Sequence, residues 1–157
     1  HMFKQIKSQE NKLYNKILFL SRNKLFYTKL SLIDTFQNRI YLIFLHISFL
    51  FIKLKQKDKN QFYKEFFQKM FDFIFNKIEL NMREIGYGDM MINKNMKFLV
   101  KIFYNILLNC ENGFSNKSIG PPSSNIIFPN TEAALPELSA SRDFCLAATK
   151  SFSRPLN

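Results

Sequence analysis

No proline interrupts the first 110 residues of this chain, and strict alternation of apolar and polar residues is missing from them. A stretch that long without proline contains no covalent break in helical geometry. Apolar residues recur instead at spacings of three and four, so the chain reads as a series of helices. The expected fold class is all-α: a compact bundle of about four to five helices with a poorly structured C-terminal tail.

Residues 11–22 carry Leu13, Tyr14, Ile17, Leu18 and Leu20 as one stripe. A shorter segment with Leu25, Phe26 and Tyr27 leads into a loop at 31–36, where Asp34 and Thr35 are candidate N-caps. The next helix is expected from Gln37 to Lys55. Between Ile40 and Ile52 its polar residues are His46 and Ser48 alone. A helix apolar nearly all round belongs in a core or in a membrane. A membrane span needs roughly 20 apolar residues, and Arg39, Lys53 and Lys55 close this run sooner. It reads as the central core helix.

The third long helix is expected over 58–85. Phe62, Tyr63, Phe66, Phe67, Met70, Phe71, Ile74, Phe75, Ile78 and Met82 fall on an apolar arc of roughly 220°. Such an arc needs neighbours on two sides. The opposite stripe holds the i,i+4 pairs Glu65–Lys69 and Glu79–Arg83. Gly86 follows the last periodic residue, where a left-handed helix terminus is expected. Gly88 then lets the chain turn toward a cap at Asp89 or Asn93. A fourth long helix is expected over 93–108, with Met96, Leu99, Val100, Phe103, Ile106 and Leu107 on one face. Lys94, Lys97 and Lys101 share the other, the best-organised basic face in the chain.

Composition changes after Cys110. All five Ala and all five Pro lie beyond it. Residues 1–110 carry 19 basic and 8 acidic groups, whereas 111–157 carry four of each. The division implies a helical domain over 10–108 and a Ser/Pro/Ala-rich, flexible tail over 111–157. The formal charge of +11 has two readings, the codon bias of an AT-rich genome or selection for a polyanionic partner.

No catalytic constellation is visible, and the chain reads as a non-enzyme without cofactor, metal or small-molecule substrate. His1 precedes Met2 and reads as a vector remnant, which leaves His46 as the histidine to consider. One His with Cys110 and Cys145 offers neither zinc spacing nor a disulfide framework. Gly86-Tyr87-Gly88 lacks the third glycine of a dinucleotide loop. Arg39, His46 and Lys53 recur every seven residues, which fits either a hydrogen-bonded core histidine with flanking charges or a polar seam for a partner. The turn at 83–89 also has two readings. It is a structural joint built on Gly86 and Gly88, or it presents Arg83, Glu84, Tyr87 and Asp89 to a partner.

Asp34-Thr35-Phe36-Gln37-Asn38-Arg39 followed by Leu45-His46 resembles the ubiquinol–cytochrome c chaperone family. So does Met82-Arg83-Glu84-Ile85-Gly86-Tyr87-Gly88-Asp89, followed by Lys94, Met96-Lys97 and Phe103-Tyr104. Leu13-Tyr14 and Phe26-Tyr27 also fit, so the resemblance covers about residues 10–108. Asn38 stands where the family has Gly, Ile40 where it has an aromatic, and Asn105-Ile106 where it has Gly-Arg. The tail does not resemble the family, which implies a truncated or altered copy.

The resemblance implies a non-catalytic, all-α assembly factor for the cytochrome bc1 complex (complex III). Nascent or newly inserted cytochrome b would be its client and the ribosome a contact. Arg39, His46, Arg83, Glu84, Tyr87 and Asp89 are then candidate partner-binding residues, and Lys94, Lys97 and Lys101 a polyanion or ribosome contact. The expected location is cytoplasmic, with peripheral contact at the inner membrane and neither signal peptide nor membrane span. The alternative is a small basic helical protein that binds nucleic acid or an anionic membrane surface.

Overall fold

Several of the helix ends fall where a local signal places them. In the computed structural model the described residues are 2–29, 31–57 and 61–114. They form α1 (Met2–Ser21), α2 (Lys24–Thr28), α3 (Phe36–Lys57), α4 (Gln61–Ile85) and α5 (Asp89–Phe114). No strand occurs among the described residues, so the fold is the all-α bundle expected. The tail from 115 onward, with its expected flexibility, lies outside the described residues.

Thr35 opens α3. Its hydroxyl accepts from the Asn38 N–H at 3.1 Å and its carbonyl from the Arg39 N–H at 3.1 Å, which is the N-cap pattern. Asn38, the departure from glycine, also donates through Nδ2 to the Ile33 carbonyl at 2.8 Å. The side chain therefore ties down the loop that glycine would leave free.

α3 lies between α1, α4 and α5. Every residue from Ile40 to Phe49 is buried. Burying each large apolar side chain contributes about 2 kcal/mol, so this one helix dominates the core. Phe51 lies 4.4 Å from Phe67 and Phe44 lies 5.4 Å from Phe75, so α3 and α4 run antiparallel. Phe103 of α5 sits 5.4 Å from Phe44, and Lys55 bonds Glu111 at 2.7 Å, so α3 and α5 run the same way. On the other side of α4, Tyr14 of α1 meets Phe73 edge-on at 5.6 Å.

The wide apolar arc of α4 is thus consumed from both flanks. Met70, Ile74, Phe75, Ile78 and Met82 are buried, and of the arc only Phe62 is left well exposed, at 64%. α2 is one of the smallest elements but closes the core. The Asn23 side chain caps it by accepting from the Leu25 N–H at 3.1 Å, and Phe26 is driven inward against α3.

The α4–α5 turn is built on hydrogen bonds that require positive φ. The Tyr87 N–H donates to the Met82 carbonyl at 3.1 Å and the Gly86 N–H to the Arg83 carbonyl at 3.0 Å. This is the Schellman pattern, with Gly86 at φ +101°. A Cβ there would meet nothing within 4 Å, so its cost is backbone strain alone. Gly86→Ala is expected to lower stability by about 1 kcal/mol, read as a Tm loss of roughly 4–8 °C. An unchanged Tm would mean that the turn does not hold this conformation.

α5 starts earlier and ends later than its periodicity suggests. Its first bond runs from the Ile92 N–H to the Gly88 carbonyl at 3.0 Å. Gly88 is therefore the cap, in place of Asp89 or Asn93. Asp89 falls in the first turn, where a carboxylate faces the positive end of the helix. At the other end the helix continues past Leu108 and Cys110 to Phe114.

Candidate functional site

Two segments far apart in sequence meet at one end of the bundle. Phe36, Gln37 and Ile40 from the start of α3 share a cleft of about 90 Å³ with Met82 and Tyr87 from the α4–α5 turn. Asn95, Phe98 and Leu99 of α5 complete its lining. The motifs around 34–39 and 82–89 are thus two sides of one surface. The cleft is far below the several hundred cubic ångströms of a typical small-molecule site, so this end is suited to docking rather than to enclosing a substrate.

Each motif contributes an arginine already engaged by carboxylates. Arg39 grips Asp34 through two bonds, Nε to Oδ1 at 2.6 Å and Nη2 to Oδ2 at 2.7 Å. Hydrogen bonding from Arg39 holds the Asp34 carboxyl below its ordinary range. Arg83 joins two carboxylates through three bonds: Nη2 and Nε reach Glu79 Oε1 at 2.9 and 3.2 Å, and Nη1 reaches Asp89 Oδ1 at 2.7 Å. It therefore clamps the end of α4 to the start of α5. All three pairs lie at the surface, where solvent screening leaves little net stabilisation. Their clearer role is to hold the two arginines in fixed positions.

Of the expected turn residues, Arg83 and Asp89 satisfy one another, while Glu84 and Tyr87 face solvent. Among the described residues Glu84 takes part in none of the ion pairs. The surroundings are more apolar than the sequence suggests. Ile33, Ile85 (58% exposed), Met90 (89%) and Met91 project from the same loop and turn. Large apolar side chains left in water at one place mark an interaction site, and Met adapts to varied apolar partners. Sequence periodicity assigns such residues to a core by default, so no signal distinguished them.

His46 stands apart from this surface. It is fully buried, edge-on to Phe26 at 5.5 Å. Its Nδ1 lies 2.7 Å from the Leu42 carbonyl, and because a carbonyl only accepts, Nδ1 carries the proton. Burial lowers its pKa from 6.5 to about 4, which keeps the ring neutral. Arg39 and Lys53, seven residues away on either side, are exposed, so the structure does not join the three into a surface seam. Full burial keeps His46 out of reach of a partner at this surface.

Lys94, Lys97 and Lys101 are all exposed along α5. The ion pairs among the described residues use Arg39, Lys55 and Arg83 instead. Cys110 is buried in the core, and Cys145 lies outside the described residues. Among the described residues, no group of three or more His, Cys, Asp or Glu could hold a metal ion, and no helix is long and apolar enough to cross a membrane.

Comparison with known families places residues 28–120 on a family model described as Ubiquinol-cytochrome C chaperone. The matched region contains both motif segments of the cleft, and it continues past Cys110, where the composition changes. Neither the curated proteins nor the solved structures gave a match.

Proposed function

Because the chain belongs to the Ubiquinol-cytochrome C chaperone family, we propose that it is a non-catalytic assembly factor for complex III whose client is newly made cytochrome b. The observation that carries this reading is the convergence of the 34–39 and 82–89 segments on one cleft, with Ile85, Met90 and Met91 exposed in and just after the second segment. An apolar client segment would lie against those side chains. Glu84 and the Tyr87 hydroxyl would supply polar contacts at the rim, and the two arginine clamps would keep the rim rigid. Such a site binds and releases; it needs no cofactor. Contact with the ribosome would bring the factor to its client as the client emerges.

Capture of the full chain from its own cells should bring cytochrome b with it. The double change Arg83→Ala with Glu84→Ala should reduce capture more than tenfold, a loss of over 1.4 kcal/mol in binding. Its stability cost should be small, because the broken pairs lie at the surface. Glu84→Lys, which disturbs no internal ion pair, should reduce capture at unchanged Tm. Absence of cytochrome b from the wild-type capture would overturn the client assignment. Loss that only tracks unfolding would make the turn pure architecture.

A further inference from the structure

α5 carries an exposed stripe whose lysines neither the bundle nor the client site uses. Met90, Lys94, Lys97, Lys101, Tyr104 and Leu108 follow one another at spacings of four, three, four, three and four, which keeps them on one side of a helix. At 1.5 Å per residue the line is about 27 Å long. All six are exposed; Met90 is 89%, Tyr104 44% and Leu108 55% accessible. Cations occupy its middle and apolar side chains its two ends.

Among the described residues the lysines have no carboxylate partner. Between Met90 and Cys110 the sequence contains no Asp or Glu. The two carboxylates that border this stretch are engaged elsewhere, Asp89 with Arg83 and Glu111 with Lys55. The ion pairs among the described residues leave Lys94, Lys97 and Lys101 out. The stripe therefore presents an uncompensated positive field, and its complement is an anionic surface.

We propose that this face of α5 docks the protein onto an anionic lipid surface, with α5 lying parallel to the membrane plane. The apolar ends decide between a bilayer and a nucleic acid, since both offer phosphates. Met90 and Leu108 gain nothing from a phosphate backbone, but each can enter the acyl boundary of a bilayer. Tyr104 matches the interfacial level, where an aromatic ring sits in apolar surroundings and its hydroxyl stays wet. Lysines extend their methylene stems along the boundary and keep the ammonium among the headgroups. No helix among the described residues is long and apolar enough to cross a membrane, so the contact is adsorption. Met90 belongs to both readings, but the lysines lie outside the cleft, so their part is independent of the client reading.

The full chain should float with vesicles of phosphatidylcholine containing about one-third phosphatidylglycerol and should not float with pure phosphatidylcholine. Lys94→Gln, Lys97→Gln and Lys101→Gln together should lower partitioning about a hundredfold, at roughly one factor of five per lysine. Leu108→Ser with Met90→Ser should keep attraction at low salt but lose binding as salt rises, because only the screened part remains. The chain contains no Trp, so Tyr104→Trp introduces a single fluorophore. Its emission should shift to the blue on vesicle binding and be quenched by brominated acyl chains. The lysines, Met90 and Leu108 are exposed, so their variants should retain the wild-type circular dichroism and Tm; Tyr104 also meets Phe71 and Phe103, and its aromatic replacement should keep the same circular dichroism.

Equal binding to neutral vesicles, or undiminished binding by the triple lysine variant, would overturn the proposal. So would a Tyr104→Trp emission that does not move. If an RNA duplex binds with the same lysine dependence while the Met90 and Leu108 changes leave all binding untouched, the face is a general polyanion contact and the membrane assignment fails. Cytochrome b capture by the triple lysine variant from detergent extract should match wild type, which separates failure here from failure of the client reading.

Discussion

Phe103→Ala is expected to remove about 4 kcal/mol of stability, close to the upper range for truncating a buried aromatic. Phe103 is 1% exposed and meets six rings, those of Phe44, Phe51, Phe67, Phe71, Phe75 and Tyr104, at centroid distances from 5.4 to 6.3 Å. Most of these contacts are edge-on or tilted, the arrangements in which the positive edge of one ring meets the negative face of another. Three helices, α3, α4 and α5, converge on this one side chain. Its removal leaves a cavity that no single helix can close, because each is held by packing elsewhere. With a urea slope of about 1.5 kcal/mol per molar, the unfolding midpoint should fall by roughly 2–3 M. Phe62→Ala is the control. Its ring is well exposed, and its loss should cost about 0.5 kcal/mol or less. A Phe103→Ala midpoint within 0.5 M or so of wild type would show that the three-helix junction is not the centre of the core.

The aromatic junction was partly legible in the sequence. Phe44, Phe51, Phe67, Phe71, Phe75 and Phe103 all lie on apolar faces that spacing alone identifies. Spacing does not tell how far two helices rotate about each other, and that rotation decides which apolar residues stay outside. Met90 and Leu108 fall there, and no count of apolar residues singles them out. The start of α5 was misplaced for a different reason. Side chains that cap helices are visible in a sequence, whereas the Gly88 carbonyl that accepts the first bond is not. Composition misled at the other end. Lys55 bonds Glu111 across the change at Cys110, and α5 runs through it to Phe114. The shift in Ala, Pro and charge therefore marks no structural edge at that residue.

The candidate site was legible as two segments and illegible as one surface. Nothing in the 34–39 or 82–89 runs states that Phe36 and Tyr87 line the same cleft. That follows only from α3 and α4 running antiparallel, which brings the start of one beside the end of the other. Arg83 and Asp89 looked available to a partner, but six residues across a tight turn are near enough for a 2.7 Å bond. Glu84 and Tyr87 carry what remains of that patch.

Acid should destabilise the protein through His46. Burial has pushed the folded-state pKa down from 6.5 to about 4, against a smaller upward pull from the Leu42 carbonyl. In the unfolded chain the same ring takes its proton near 6.5. Between these two values the unfolded state binds more protons than the folded one, so stability rises with pH across this window. The contribution is complete above pH 6.5 and is lost progressively toward pH 4. Over that range the loss amounts to roughly 3 kcal/mol, at about 1.4 kcal/mol per unit. Asp34, held down by Arg39, acts in the same direction, but it is fully exposed and its share is small. His46→Gln separates the two. Glutamine retains an amide donor for the Leu42 carbonyl and does not titrate, so the variant should be less stable at neutral pH yet nearly flat from pH 6.5 to 4.5. Urea midpoints across that range test the difference, and the His46 imidazole proton signals should not titrate above pH 5 in the folded protein. Parallel pH profiles for wild type and variant would place the acid sensitivity in the carboxylates. They would also mean that His46 is not shut away from water, and its burial is the ground for leaving it out of the partner surface.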